Sequence, residues 1–169
     1  MDSINELIKK VDEAELVLVG IGEEFSNCDQ EIVSKAYSTI SDIIKNKNYF
    51  VVSLCADDLI FNSDIKKDNI TAPFCETSEA DHVDGEEGDP QWEKYMMWLS
   101  CTLNKKLLII ELGASINNPQ IIRWPFEKVV ELNNKAELVR INAVMPNVPK
   151  EIAEKCVSVK KSAIEFLIV

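Results

Sequence analysis

Four apolar runs in this chain end in small or hydrogen-bonding residues. Gly20, Ile21 and Gly22 follow "ELVLV", and Ser53 closes "YFVVS". Gly113, Ala114 and Ser115 follow "LLIIEL", and Asn142 closes "VRIN". Glycine at such a point permits backbone conformations closed to other residues and lets the chain approach a phosphate closely. If the runs are parallel strands, their ends share one edge, where α/β proteins bind ligands. The first group is an incomplete dinucleotide fingerprint. The pattern GxGxxG would need a glycine where Phe25 stands. Glu23 and Glu24 place negative charge where a phosphate would lie, although they could accept hydrogen bonds from a ribose or an amide. Taken alone, "GIG" also fits a plain strand-to-loop turn.

Other residues suit acid–base chemistry. His82 is the sole histidine, and it lies between Asp81 and Asp84. It reads either as a general base with a raised pKa or as a solvated loop histidine. The second reading carries more weight, because no nucleophile or second ligand stands near it in sequence. Asp57 and Asp58 are suited to capping a short helix. Trp92, Tyr95, Met96, Trp98 and Leu99 read as core rather than as an aromatic binding box. The five cysteines, Cys28, Cys55, Cys75, Cys101 and Cys156, form no CxxC pair. Their odd number and wide spacing argue against a disulfide framework and against a zinc site, and for free thiols in a reducing compartment.

The elements that must position these residues alternate. Ser3 to Glu13 has Ile4, Leu7, Ile8 and Val11 at helical spacing, with Ser3 and Glu6 in capping-box register. A strand follows, then a loop "IGEEFSNCD". A helix capped by Asp29 runs to about Lys47, with Ile32, Val33, Ala36, Tyr37, Ile40, Ile43 and Ile44 on one face. "YFVVSL" is a second strand, "DDLIFNSDI" a short helix or turn, and "NITAPF" a short extended piece. Residues 77–90 are acidic, hold two glycines and a proline, and read as a mobile loop rather than a domain boundary. A helix opens at Pro90. After the strand "LLIIELG", residues 119–134 read as helical on either side of Pro125. "AELVRINA" and "CVSV" are further strands, and "SAIEFLIV" is a closing helix or tail. Strands alternating with helices predict an α/β fold: one domain over 1–169, with a doubly wound, mostly parallel sheet and helices on both faces. Continuous apolar strands fit a sheet covered on both sides.

The 169 residues carry a formal net charge of −11, with a sequence pI near 4.6. That field repels phosphate backbones and anionic headgroups, which argues against nucleic acid and membrane partners. The N-terminus lacks the basic start and apolar run of a signal peptide, and no apolar stretch approaches a membrane span. The expected location is cytoplasmic.

Taken in order, "VGIGEEFS", "VSLCADDL", "ELGAS" and "VRIN" resemble the loops of the sirtuin family. There a Rossmann-like NAD domain carries GAGxS, TQNxD and GTS loops and an IN pair. "ELGASINNPQIIRWPFEKV" is also similar to a stretch of bacterial sirtuin-like proteins. The resemblance implies NAD or ADP-ribose as ligand, with Gly20, Ile21, Gly22, Ser53, Gly113, Ala114, Ser115 and Asn142 lining the site. It places the diphosphate at the first loop and the adenosine at "GAS" and "IN". The departures are specific. The GAGxS serine falls on Glu24, and the TQNxD asparagine falls on Cys55, while Asp57 matches the aspartate. The paired-cysteine zinc module is absent, and no HG motif surrounds His82. The expectation is therefore a reduced sirtuin-like protein that binds NAD, ADP-ribose or a related adenine nucleotide, without deacylase activity and without zinc. A second reading is NAD glycohydrolysis or ADP-ribosyl transfer, with His82 or Asp57 as base. A third is an interaction module that has lost the ligand. In that case the acidic loop and an exposed tail "EFLIV" are contact surfaces, the tail at a homodimer interface.

Overall fold

The apolar runs pair side by side into one all-parallel, six-stranded sheet. A computed structural model describes residues 3–75 and 89–168. The strands are β1 (Leu16–Ile21), β2 (Asn48–Ser53), β3 (Ile70–Thr71), β4 (Leu107–Leu112), β5 (Glu137–Ile141) and β6 (Cys156–Val159). Their spatial order is β3-β2-β1-β4-β5-β6. The chain thus runs outward from β1 through β2 to β3, then returns to build β4, β5 and β6 on the other side. The direction of winding reverses between β1 and β4. In open α/β sheets such a switch point is where ligands bind. The fold is α/β and Rossmann-like.

Side-chain alternation distributes the helices. Val17, Val19 and Ile21 of β1 point into a core shared with α1 (Ile4–Glu13), α2 (Gln30–Ile44) and α5 (Ala163–Leu167). Leu16 and Leu18 point the other way, toward α3 (Pro90–Ser100) and α4 (Arg123–Leu132). Both faces are covered, as parallel sheets require.

Local signals account for most helix ends. Asp29 accepts a hydrogen bond from Glu31 N and starts α2, and Asp89 does the same for Gln91 N with Pro90 at the first turn of α3. The Ser3 hydroxyl makes no cap bond, and Glu6 N reaches the Ser3 carbonyl instead. Helix α2 ends at Ile44 rather than near Lys47, and Ile32 lies outside its buried face. Residues 119–122 are turns, so α4 begins only at Arg123. Pro125 falls in its first turn, where the missing N–H is not needed. The loop after β1 is a short 3-10 helix, Glu23–Asn27. Tyr95 is buried, whereas Met96 on the same helix is exposed.

The closing segment differs from its expected exposure. Phe166 and Leu167 are buried against α2 and the first core, whereas Glu165 and Ile168 are exposed, so the first two apolar residues of the tail belong to the fold. Five residues cannot sustain a helix alone. Glu24, from the loop after β1, holds this one down by accepting hydrogen bonds from the Ser162 hydroxyl, Ala163 N and Ile164 N. Residues 76–88, which include His82 and nearly all of the acidic stretch, lie outside the described residues. Among the described residues, no helix is long and apolar enough to cross a membrane.

Candidate functional site

Four backbone hydrogen bonds carry the sheet's ladder one step past its strands and bring the loops together. Gly22 N donates to Leu112 O, Leu54 N to Ile21 O, Gly113 N to Ile141 O, and Asn142 N to Val159 O. The loop after β1 therefore meets the loop after β4 at the switch point. Gly22 touches the Ala114 backbone: a Cβ on Gly22 would lie 2.2 Å from Ala114 Cα. Gly113 has φ +61°, a left-handed conformation that glycine adopts without a Cβ penalty.

Of the sequence-predicted site residues, Gly22, Gly113, Ala114, Ser115 and Asn142 come together here. Gly20 and Ser53 serve other ends. A Cβ on Gly20 would lie 2.5 Å from the Phe126 ring, so this glycine admits α4 to the sheet rather than a ligand. Ser53 is fully buried, and its hydroxyl accepts from Cys55 N, closing its own turn. Ile21 is buried as part of β1. Asn142 latches two loops. Its amide donates to Ala114 O at 2.8 Å, and its carbonyl accepts from Val144 N and Met145 N. Asp57 accepts from Leu59 N and from Ser26 Oγ, as a capping residue does. Cys55 is buried, with Sγ 3.7 Å from Gly22 O and 3.8 Å from the Tyr37 hydroxyl. Among the described residues, no group of three or more His, Cys, Asp or Glu is placed to hold a metal ion.

Glu23 takes the central position. Its Oε2 accepts from Ser115 N at 3.0 Å, and its Oε1 accepts from the Asn118 side-chain amide at 3.4 Å. Burial alone would raise its pKa. The Ser115 N–H, its own N–H, and the Ser115 and Asn118 side chains outweigh burial and hold the carboxyl below its usual 4.5. A carboxyl depressed on folding adds stability above its unfolded pKa, and that stability is lost as acid protonates the folded group. Glu23→Gln should therefore flatten the acid limb of a stability profile below about pH 4.5. Urea unfolding at stepped pH checks this, and an unchanged acid limb would contradict it.

A charged cluster outside the motifs supports the loop after β5. Glu111 of β4 and Arg140 of β5 are fully buried, and Arg140 Nη2 donates at 2.8 Å to both Glu111 and Glu127 of α4. Arg123 Nη1 lies 3.6 Å from Glu111 Oε1. Both arginines also donate to Asn147 O, and Arg123 to Met145 O, which pins the loop after Asn142. Burial disfavours the guanidinium of Arg140, but the two carboxylates prevail and raise its pKa. Burial pushes Glu111 the other way, toward the neutral acid. The arginine's direction is the one that holds, because guanidinium stays charged in proteins and stands in direct contact with the carboxylate. The signal was present in the sequence: one glutamate inside "LLIIELG" and one arginine inside "ELVRIN". A groove lined by Lys10, Lys106, Lys135 and Glu137 opens at the opposite, amino edge of the sheet, away from these loops.

No family model matches the chain. Part of it is similar to the probable bifunctional ADP-ribose hydrolase/ADP-ribosyltransferase of Fusarium oxysporum f. sp. cubense. The two are 37% identical over 59 residues, which is 33% of this chain and 9% of that protein. A longer stretch is similar to the protein ADP-ribosyltransferase of Staphylococcus aureus (strain Mu50 / ATCC 700699). Here identity is 25% over 80 residues, 47% of this chain and 25% of that one. The match thus spans a quarter or less of either relative's length.

Proposed function

We propose that this chain is a sirtuin-like protein that binds ADP-ribose, NAD or a related adenine nucleotide at the switch point, without protein deacylase activity. The observation that carries the reading is the backbone contact of the Gly22 and Gly113–Ser115 loops between β1 and β4. Switch points of that kind hold nucleotides in open α/β sheets. The names of both relatives concern ADP-ribose chemistry, which supports the same ligand class. The absence of deacylase activity rests on Cys55. It occupies the place where the resemblance calls for a ribose-binding asparagine, and its side chain is buried against Gly22 O and Tyr37.

Calorimetry with ADP-ribose should show micromolar binding. At a hundredfold excess over Kd, a ligand selective for the folded state adds about 2.7 kcal/mol. That corresponds to a rise in Tm of roughly 5–10 °C for a chain of this size. No heat and no thermal shift at millimolar ADP-ribose or NAD would overturn the reading. The relatives' names favour one second reading, ADP-ribosyl transfer or hydrolysis. It predicts nicotinamide release from NAD that is lost on substituting Asp57 or His82.

A further inference from the structure

We infer, resting on the nucleotide reading above, that Glu23 is an internal anion seated in the phosphate cradle of the site, and that it sets which ligands the site accepts. Backbone N–H groups just past the ends of parallel strands are donors suited to phosphate oxygens. Ser115 N is such a donor, and Glu23 Oε2 already accepts from it at 3.0 Å. The Asn118 amide, one turn further along the same loop, gives its hydrogen to the other oxygen of the same carboxylate. A phosphate arriving at these donors must displace Glu23 and then share the crevice with its charge.

The neighbouring groups leave no ready compensation. Glu24 is committed to Ser162, Ala163 and Ile164 and adds a second negative charge beside the first. Arg123 and Arg140 face Glu111 and Glu127 and are matched by them. Gly22 lies against Ala114 with no slack, so the two loops cannot part to admit both anions. The cradle therefore discriminates against charge at this point. A ligand's nucleoside enters on better terms than its diphosphate, and the chain holds ADP-ribose more weakly than the same loops would without Glu23.

The test compares wild type, Glu23→Gln and Glu23→Ala by calorimetry with ADP-ribose, adenosine and inorganic pyrophosphate. The Ser115 amide resonance is followed in parallel. Glu23→Gln keeps the side chain's shape, so it guards against an Ala variant that folds poorly. The expected result is a gain of tenfold or more in ADP-ribose affinity for both variants, with adenosine unchanged. Pyrophosphate should shift the Ser115 amide in Glu23→Ala and not in wild type. Equal ADP-ribose affinity in all three proteins, or weaker binding in the variants, overturns the inference and leaves the nucleotide reading standing. No ADP-ribose binding in any protein, with pyrophosphate still reaching Ser115 in Glu23→Ala, keeps the inference and removes the nucleotide reading. Silence toward both probes in every protein overturns both.

Discussion

Arg140→Ala should cost about 3–5 kcal/mol of stability, because it strands a buried carboxylate. Glu111 and Arg140 have no solvent exposure, and one guanidinium nitrogen serves both Glu111 and Glu127. Removing it leaves Glu111 with Arg123 at 3.6 Å as its remaining cation. The cluster is already imperfect. Glu111 Oε1, Arg123 Nη1 and Arg140 Nε are buried without a hydrogen-bond partner among the described residues. A network in that condition has nothing in reserve when its central donor goes. The loss should appear in urea unfolding and as a fall in Tm of roughly 10 °C. A loss under about 1 kcal/mol, the scale of an exposed pair, would show that water had already reached the cluster. The paired variant Glu111→Leu/Arg140→Met should recover much of the loss, since apolar groups of similar volume often replace buried ion pairs at little cost. A double variant no better than the single would locate the effect in the lost bond to Asn147 O instead.

This cluster also shows which parts of the fold could be read in advance. Strands β1, β2 and β4 were legible because a strand covered on both faces needs nothing more than an unbroken apolar run. The ends of those runs were legible too, because parallel strands bring Gly22, Gly113 and Ser115 to one edge. What each residue does there depends on partners far away in sequence. Gly20 and Gly22 look alike in "GIG", yet one faces the Phe126 ring and the other the Ala114 backbone. Glu23 reads in sequence as unwanted charge or as an acceptor for a ribose or an amide, and its partner, Ser115 N, lies 92 residues on. The tail "EFLIV" reads as exposed because nothing local shows what covers its four apolar residues. Its tether, Glu24, lies 138 residues upstream of Ser162. Ser53 satisfies its polarity within its own turn, and Asn142 divides its amide between its own loop and Ala114 O, uses of hydrogen bonds that sequence alone does not separate from ligand binding.

Gly22→Ala should be the most damaging change of a single methyl in the site. The glycine has φ −87°, an ordinary value, so conformational strain plays no part. The argument is space alone. The new Cβ would lie 2.2 Å from Ala114 Cα and 2.3 Å from both Ala114 N and Gly113 O, and all three are backbone atoms. Backbone cannot turn aside as a side chain can, so the loops after β1 and β4 must separate. Separation weakens the bond from Gly22 N to Leu112 O and pulls Glu23 away from Ser115. Overpacking in a close-packed region costs typically 1–3 kcal/mol, and the upper end, about 3 kcal/mol or more, is expected where backbone meets backbone. Gly20→Ala is the control, because it meets the Phe126 ring and the Ile122 methyl, which can shift, and it should cost less. Ligand binding should divide the two more sharply than stability does. Gly20→Ala lies on the α4 side and should still bind ADP-ribose, whereas Gly22→Ala should not, even at temperatures where it remains folded. Equal stability and equal binding in the two variants would mean that the loops are free to part at this point. The switch point would then no longer explain how the chain holds a nucleotide.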